Sequence, residues 1–430
     1  MTGVTGVTGT TAATTAIAAA TAISTATGPA PATAISTATA PATATAATAA
    51  AAAAADGEAG GRVLRAGLIG LGAMGRNHAR ILSSLDGVEL VGAVDPAGDP
   101  HGCLHGVPVL TDVARLLERG IDYAVVACPT ALHEQVGLQL ADAGVCALIE
   151  KPLAHTSEAA RRLVAAFEER GLVAGVGHIE RFNPALQQLR QRLEAGELGE
   201  VFQVVTRRQG PFPHRIADVG VVKDLATHDI DLTSWITGQE YVSLSARTVS
   251  KSGRDHEDMV AVVGSLTDGT MVSHLVNWLS PLKERFAAVT GERGCFVADT
   301  LTADLTFHAN GAVATEWEAL RAFRGVAEGD TVRYAFPKRE PLVVEHERFR
   351  DAVRGGSGSG GIVTAREGLR TVEVSAAVLA SARRTTGVLE TGALETATPL
   401  EVASAVITSG SPSAPGDHGH SPVRLAEPTA

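Results

Sequence analysis

From Arg62 onward, short apolar runs alternate with stretches of helical spacing. Val63–Leu71, Val88–Val94, Tyr123–Ala127, Val145–Ile149 and Leu172–Val176 have the length of buried strands. Between them, Asn77–Leu85, Asp112–Arg119, Leu132–Ala143 and Ser157–Arg170 repeat apolar residues every three or four positions, as helices do. Strands that alternate with helices predict a parallel sheet covered on both faces. Beyond about Phe182 the pattern changes. A helix over Pro184–Ala195 precedes a strand, Val201–Arg208, and after a helical Asp224–Thr237 come successive strand-like runs: Tyr241–Val249, Met259–Leu266, Met271–Trp278, Arg285–Thr290 and Cys295–Ala298. Thr267-Asp268-Gly269-Thr270 between two of these is a hairpin signal, so this half is expected to be an α+β domain with a mainly antiparallel sheet. Helices at Glu345–Val353 and Thr364–Arg384 finish the folded part.

Composition changes the picture most at the ends. Residues 1–61 begin with a long Ala/Thr-rich stretch that repeats itself (TAISTAT at Thr21–Thr27 and again at Thr33–Thr39) and carries no Lys or Arg before Arg62. Such a segment cannot bury enough apolar surface to offset its ordering entropy, so it is expected to be a disordered leader, as is a tail over 389–430. Neither the basic start of a secretory signal nor the Arg-rich texture of a transit peptide is present. The domains expected between these ends are 62–181 and 182–388.

The net charge of −11 argues against nucleic acid as a partner. No apolar run approaches the roughly 20 residues of a spanning helix, which argues against a membrane. The four cysteines form no CxxC pair, as expected of a reduced, cytoplasmic protein. Cys103 between His101 and His105 resembles a solvated loop more than a metal site, and no metal is expected.

The first chemistry-bearing motif closes the first strand: Gly70-Leu71-Gly72-Ala73-Met74-Gly75 has GxGxxG spacing at a strand-to-helix turn. The first glycine permits the turn, the second lets backbone approach a pyrophosphate, and the third lets helix and strand pack closely. Asp95 ends the next strand, where a carboxylate can accept hydrogen bonds from ribose hydroxyls and would repel a 2′-phosphate. NAD is therefore expected as cofactor in a Rossmann domain, with NADP disfavoured. Pro129, Thr130, His133 and Glu150 follow later strands and complete the expected cofactor-binding set.

Two further stretches fall where an open α/β sheet places function, beyond the carboxyl ends of its strands. Lys151, in Glu150-Lys151-Pro152, is led by its strand toward the nicotinamide position. In Asp224-Leu225-Ala226-Thr227-His228-Asp229-Ile230-Asp231, helical spacing puts Asp224 and His228 on one face, a carboxylate beside an imidazole as a general base needs.

GLGAMGRNHAR (Gly70–Arg80), the ALHEQ around His133, EKP (Glu150–Pro152), the RFNP of Arg181–Pro184 and DLATHDID (Asp224–Asp231), in this order, resemble the Gfo/Idh/MocA oxidoreductase family over about Arg62–Val388. The resemblance implies a Rossmann domain followed by an α+β domain whose open sheet mediates homo-oligomerisation, as a homodimer or homotetramer. It implies a cis Lys151–Pro152 bond and catalytic roles for Lys151, Asp224 and His228, with His228 taking a hydroxyl proton, Lys151 holding the same oxygen and Asp224 orienting His228.

Arg181, Asn183, Arg208, His214 and Arg215 lie near the catalytic helix in sequence, and with Asp224 and His228 they form the expected substrate-binding set. Cations so dense in an acidic chain suggest an anionic substrate group. The HIERFNP, GPFP, DVGVV and DLATHDID pattern is similar to the branch of UDP-N-acetylglucosamine 3-dehydrogenases, which implies oxidation of that sugar's 3-hydroxyl. An inositol or simple sugar dehydrogenase is the alternative within the enzyme class, and a non-catalytic NAD- and sugar-binding regulator the alternative outside it.

Overall fold

The computed structural model describes residues 62–213, 219–311, 329–355 and 361–384. The expected leader and tail lie outside these residues, as do His214 and Arg215.

The first layer is a wholly parallel six-stranded sheet in the order β3-β2-β1-β4-β5-β6. Its strands are β1 (Leu64–Ile69), β2 (Val88–Val94), β3 (Val109–Leu110), β4 (Tyr123–Val126), β5 (Cys146–Glu150) and β6 (Ala174–Gly177). They alternate with helices α1 (Gly75–Leu82), α2 (Val113–Leu117), α3 (His133–Asp142) and α4 (Ser157–Glu169). The two-residue β3 has no period to detect in the sequence and is defined only by its pairing with Ala93 and Val94 of β2. Strand order reverses between β1 and β4, and at that switch point the connections leave in opposite directions and open a crevice above the carboxyl ends of the strands. Gly70, Cys128 and Lys151 each follow a strand at that end.

Helix α5 (Pro184–Glu194), capped by the Asn183 carboxamide, leads into the second sheet. Its eight strands run β14-β13-β12-β11-β7-β10-β9-β8. They are β7 (Val201–Pro211), β8 (Tyr241–Val249), β9 (Met259–Leu266), β10 (Met271–Asn277), β11 (Leu279–Gly291), β12 (Gly294–Asp299), β13 (Asp304–Ala309) and β14 (Thr331–Arg333). All neighbours are antiparallel except β7 and β10. That exception arises because β7, earliest in sequence, is inserted between β10 and β11.

Helices cover one face of this sheet. Leu186 and Leu189 of α5, with Leu232 and Ile236 of α6 (Thr227–Thr237), pack on Val204, Val272 and Val289. Val378 of α8 (Ala365–Arg384) packs on Val260 and Val262. On the other face Val263, Met271 and Leu275 stay exposed.

The last two helices do not belong to the second sheet alone. Phe349 of α7 (Pro341–Val353) stacks edge-on against Tyr123 of β4 at 5.4 Å, and Val363, Ala365 and Val372 join the core of the first sheet. A cut after residue 181 thus separates the strands but not these helices, which clasp both layers.

Candidate functional site

The glycine turn after β1 has the geometry that its spacing predicts. Gly70 has φ +96, and a Cβ there would lie 2.7 Å from the backbone of Ala127 and Cys128 at the end of β4. A Cβ on Gly75 would lie 2.0 Å from the Gly70 carbonyl oxygen, which is the close approach of helix to strand. A Cβ on Gly72 meets nothing within 4 Å, so the space above it is open. No side chain caps α1, and Ala73 and Met74 at its start are partly exposed. Bare amides at a helix N-terminus beside an open glycine fit a pyrophosphate. Asp95 sits at this turn, accepting hydrogen bonds from the Leu71 amide at 2.7 Å and the Ala97 amide at 2.8 Å, so its carboxylate also shapes the loop it was expected to serve. Pro129 and the partly exposed Thr130 begin a 3₁₀ turn at the end of β4, on the same rim.

Lys151 follows β5, and its bond to Pro152 is cis. Its ammonium donates to the Asp224 carbonyl oxygen at 2.6 Å and to Asp224 Oδ1 at 3.0 Å. An ammonium has three N–H groups, so one remains to point at a ligand. The expected pairing of Asp224 with His228 is not formed: Asp224 Oδ2 and His228 Nδ1 are both buried without a partner. The cause is local. Residues Val222–Ala226 form a π-helical turn, whose wider winding takes Asp224 out of the i, i+4 stack with His228 and turns it toward Lys151. Burial, then the charges of Lys151 and Arg208, hold the His228 pKa well below the usual histidine value. The ring is therefore neutral at pH 7 and able to accept a proton.

The cations expected to hold substrate are mostly engaged within the protein. Arg181 is 6% exposed and forks onto Asp231 at 2.8 and 2.7 Å, with a third bond to Glu367 at 2.6 Å. Arg208, 2% exposed, binds Asp229 at 2.9 Å and Glu180 at 2.8 Å. Asn183 caps α5 through Oδ1 and donates through Nδ2 to the Thr300 carbonyl. These three build the wall of the site, and the charges of both arginines are met by acids of the protein. Sequence spacing had brought them near the catalytic helix, but it could not reveal that Asp231, Glu367, Asp229 and Glu180 pair with the two arginines.

Two expected cofactor residues are likewise placed behind the crevice. The buried His133 ring lies between the Cys128 and Pro152 carbonyls, each 3.0 Å from a ring nitrogen; neutral in its buried place, it donates to one of them and packs the end of β4 against the EKP turn. Glu150 accepts from the Lys151 amide at 3.1 Å and meets His78 Nε2 at 2.9 Å, while His78 Nδ1 meets His346 of α7 at 2.8 Å. Both residues position Lys151 from beneath.

Two residues of the site were not in the expected set, although His178 heads the HIERFNP stretch. His178, after β6, is 1% exposed with neither ring nitrogen hydrogen-bonded, and its ring stands edge-on to His228 at 6.4 Å. Arg285 of β11 faces the same cluster, with its side chain 33% exposed. Only strand pairing brings Arg285 here, opposite Arg208.

Comparison with known proteins agrees with this architecture. Residues 64–178 match the family model described as "Oxidoreductase family, NAD-binding Rossmann fold", and residues 186–297 match the GFO/IDH/MocA C-terminal domain. The chain is 32% identical over 221 residues to inositol 2-dehydrogenase 2 of Saccharopolyspora erythraea, covering 49% of this chain and 65% of that protein. It is 34% identical over 213 residues to UDP-N-acetylglucosamine 3-dehydrogenase of Acidithiobacillus ferrooxidans, covering 49% and 66%. The matches thus span slightly under two thirds of these relatives. The solved structure of the latter protein, GnnA, superposes with a TM-score of 0.64 at 27% identity over 75% of this chain and 98% of that one.

Proposed function

The chain belongs to the Gfo/Idh/MocA oxidoreductase family, and from that premise we propose that it is an NAD-dependent dehydrogenase of a sugar or polyol secondary alcohol. The observation that carries this reading is the Lys151 ammonium, fixed by two bonds to Asp224 with a third N–H free, in the same cluster as the neutral imidazole of His228.

Bound NAD would supply the hydride acceptor, with its pyrophosphate over Gly72 and the start of α1. The chain's own residues do the rest. Lys151 donates to the substrate oxygen and stabilises the negative charge that grows as the O–H bond breaks. His228, uncharged at neutral pH, accepts that proton. Asp224 acts on Lys151, holding the ammonium in place, and does not orient His228. His133 and Glu150 fix the turn that carries Lys151.

Within this class we favour the 3-hydroxyl of UDP-N-acetylglucosamine, supported by the superposition on GnnA over nearly its full length. Inositol or a simple sugar is the second reading, favoured by the engagement of Arg181 and Arg208, which removes two cations from an anion site. A complete set of Lys151 and His228 speaks against a purely regulatory role. The exposed Val263, Met271 and Leu275 support self-association through the open sheet face. Among the described residues no helix is long and apolar enough to cross a membrane. The four cysteines are unpaired, which suits a cytoplasmic location.

NADH absorbance on UDP-N-acetylglucosamine and on myo-inositol separates the substrates. Lys151→Ala should lower turnover by about 10²- to 10³-fold while NAD affinity is retained. Unchanged turnover would remove Lys151, and with it this mechanism.

A further inference from the structure

Arg285 stands opposite Arg208 in the antiparallel pairing of β11 and β7, so the two guanidinium groups lie on the sheet face that the catalytic helix covers. Their circumstances differ. Arg208 is held by hydrogen bonds to Asp229 and Glu180, whereas the Arg285 side chain has, among the described residues, an ion-pair contact to Glu180 Oε1 at 3.6 Å and no hydrogen bond. Glu180 is shared between the two arginines: its Oε1 accepts from Arg208 at 2.8 Å, while Arg285 stays beyond hydrogen-bond length from it. Its head lies beside Glu180, the acid that Arg208 also holds next to the catalytic helix, and its charge is among those that lower the His228 pKa. A third of its side chain remains open to solvent.

The charges around it balance. Lys151, Arg208 and Arg285 face Asp224, Asp229 and Glu180. A phosphate added here would leave an uncompensated buried charge, which is costly, whereas a hydroxyl or carbonyl oxygen would not. The planar guanidinium fork suits two adjacent oxygens.

On the reading that the site oxidises a sugar or polyol, we propose that Arg285 is a substrate-binding residue that donates to uncharged oxygens flanking the reacting carbon. It sets specificity for a hydroxylated ring at that position, and any diphosphate of the substrate lies away from it.

The test titrates myo-inositol, UDP-N-acetylglucosamine and UDP separately into NAD-loaded wild-type, Arg285→Ala and Arg285→Lys proteins by calorimetry, with NADH formation followed in parallel. Arg285→Ala should weaken binding of the sugar or inositol by about 10- to 100-fold, the usual worth of a charged hydrogen-bond donor. Arg285→Lys should fall between, since lysine keeps the charge but loses the fork. UDP affinity should not change. Equal sugar binding by wild type and Arg285→Ala overturns the proposal, as does a parallel loss of UDP affinity, which would make Arg285 a phosphate anchor. If the sugar binds in an Arg285-dependent way without turnover, the dehydrogenase reading fails and the Arg285 assignment stands. If wild type turns the sugar over and Arg285→Ala matches it, only the Arg285 assignment fails. Failure of both sugars to bind wild type overturns both.

Discussion

Arg181→Ala separates a structural cation from a substrate anchor. The Arg181 side chain is 7% exposed and that of Asp231 2%, and the two meet through parallel bonds of 2.8 and 2.7 Å. Removing the guanidinium leaves the Asp231 carboxylate buried with only His178 Nδ1 at 3.8 Å and the Thr371 hydroxyl at 3.4 Å nearby. Breaking a buried pair from one side costs about 3–5 kcal/mol. The lost bond to Glu367, whose side chain is 33% exposed, adds little. Against a total stability of about 5–15 kcal/mol, that is a large fraction. Urea unfolding, followed by far-ultraviolet circular dichroism, should show the midpoint falling sharply. The double change Arg181→Met with Asp231→Leu should recover most of the loss, because well-packed apolar residues replace a buried pair at little cost. The surviving folded Arg181→Ala enzyme should keep its substrate KM. An unchanged urea midpoint together with a raised KM would refute this account and return Arg181 to the substrate-binding set.

Two further outcomes follow from the same geometry. Gly72→Ala adds a methyl where nothing lies within 4 Å, so melting without NAD should be unaffected while the stabilisation conferred by NAD shrinks; Gly75→Ala, forced against the Gly70 carbonyl at 2.0 Å, should lower melting even without NAD. Equal melting of the two variants would contradict the division of labour in the turn. Glu345 of α7 is 2% exposed with both carboxylate oxygens unpartnered, and burial raises its pKa well above the usual glutamate value. The folded chain therefore keeps a proton that the unfolded chain releases above about pH 4.3, and stability should fall as pH rises through that window by up to about 1.4 kcal/mol per pH unit. Glu345→Gln should flatten that slope in unfolding titrations carried upward from about pH 4.3, and parallel slopes would show that Glu345 ionises freely.

Most of the strands and helices were legible in the chain because they depend on local periodicity. Val88–Val94, Tyr241–Val249 and Met259–Leu266 are the strands their patterns predict, to the residue. The glycine turn was legible too, since each glycine answers a constraint within a few residues of itself. Lys151 could be located from sequence because the strand that carries it also ends at the crevice.

What the sequence could not determine was which polar groups meet. Arg181 and Arg208 look like free cations until Asp231, Glu367, Asp229 and Glu180 are folded against them. Asp224 and His228 look like a pair until the π-helical turn at Val222–Ala226 changes the winding and hands the carboxylate to Lys151. Arg285 carries no local signal and reaches the site only because β11 lies beside β7. Periodicity and motif spacing are properties of neighbours in the chain, whereas charge compensation between residues 50 or 186 positions apart is decided by packing, and here that packing determines which side chains remain free to bind a ligand.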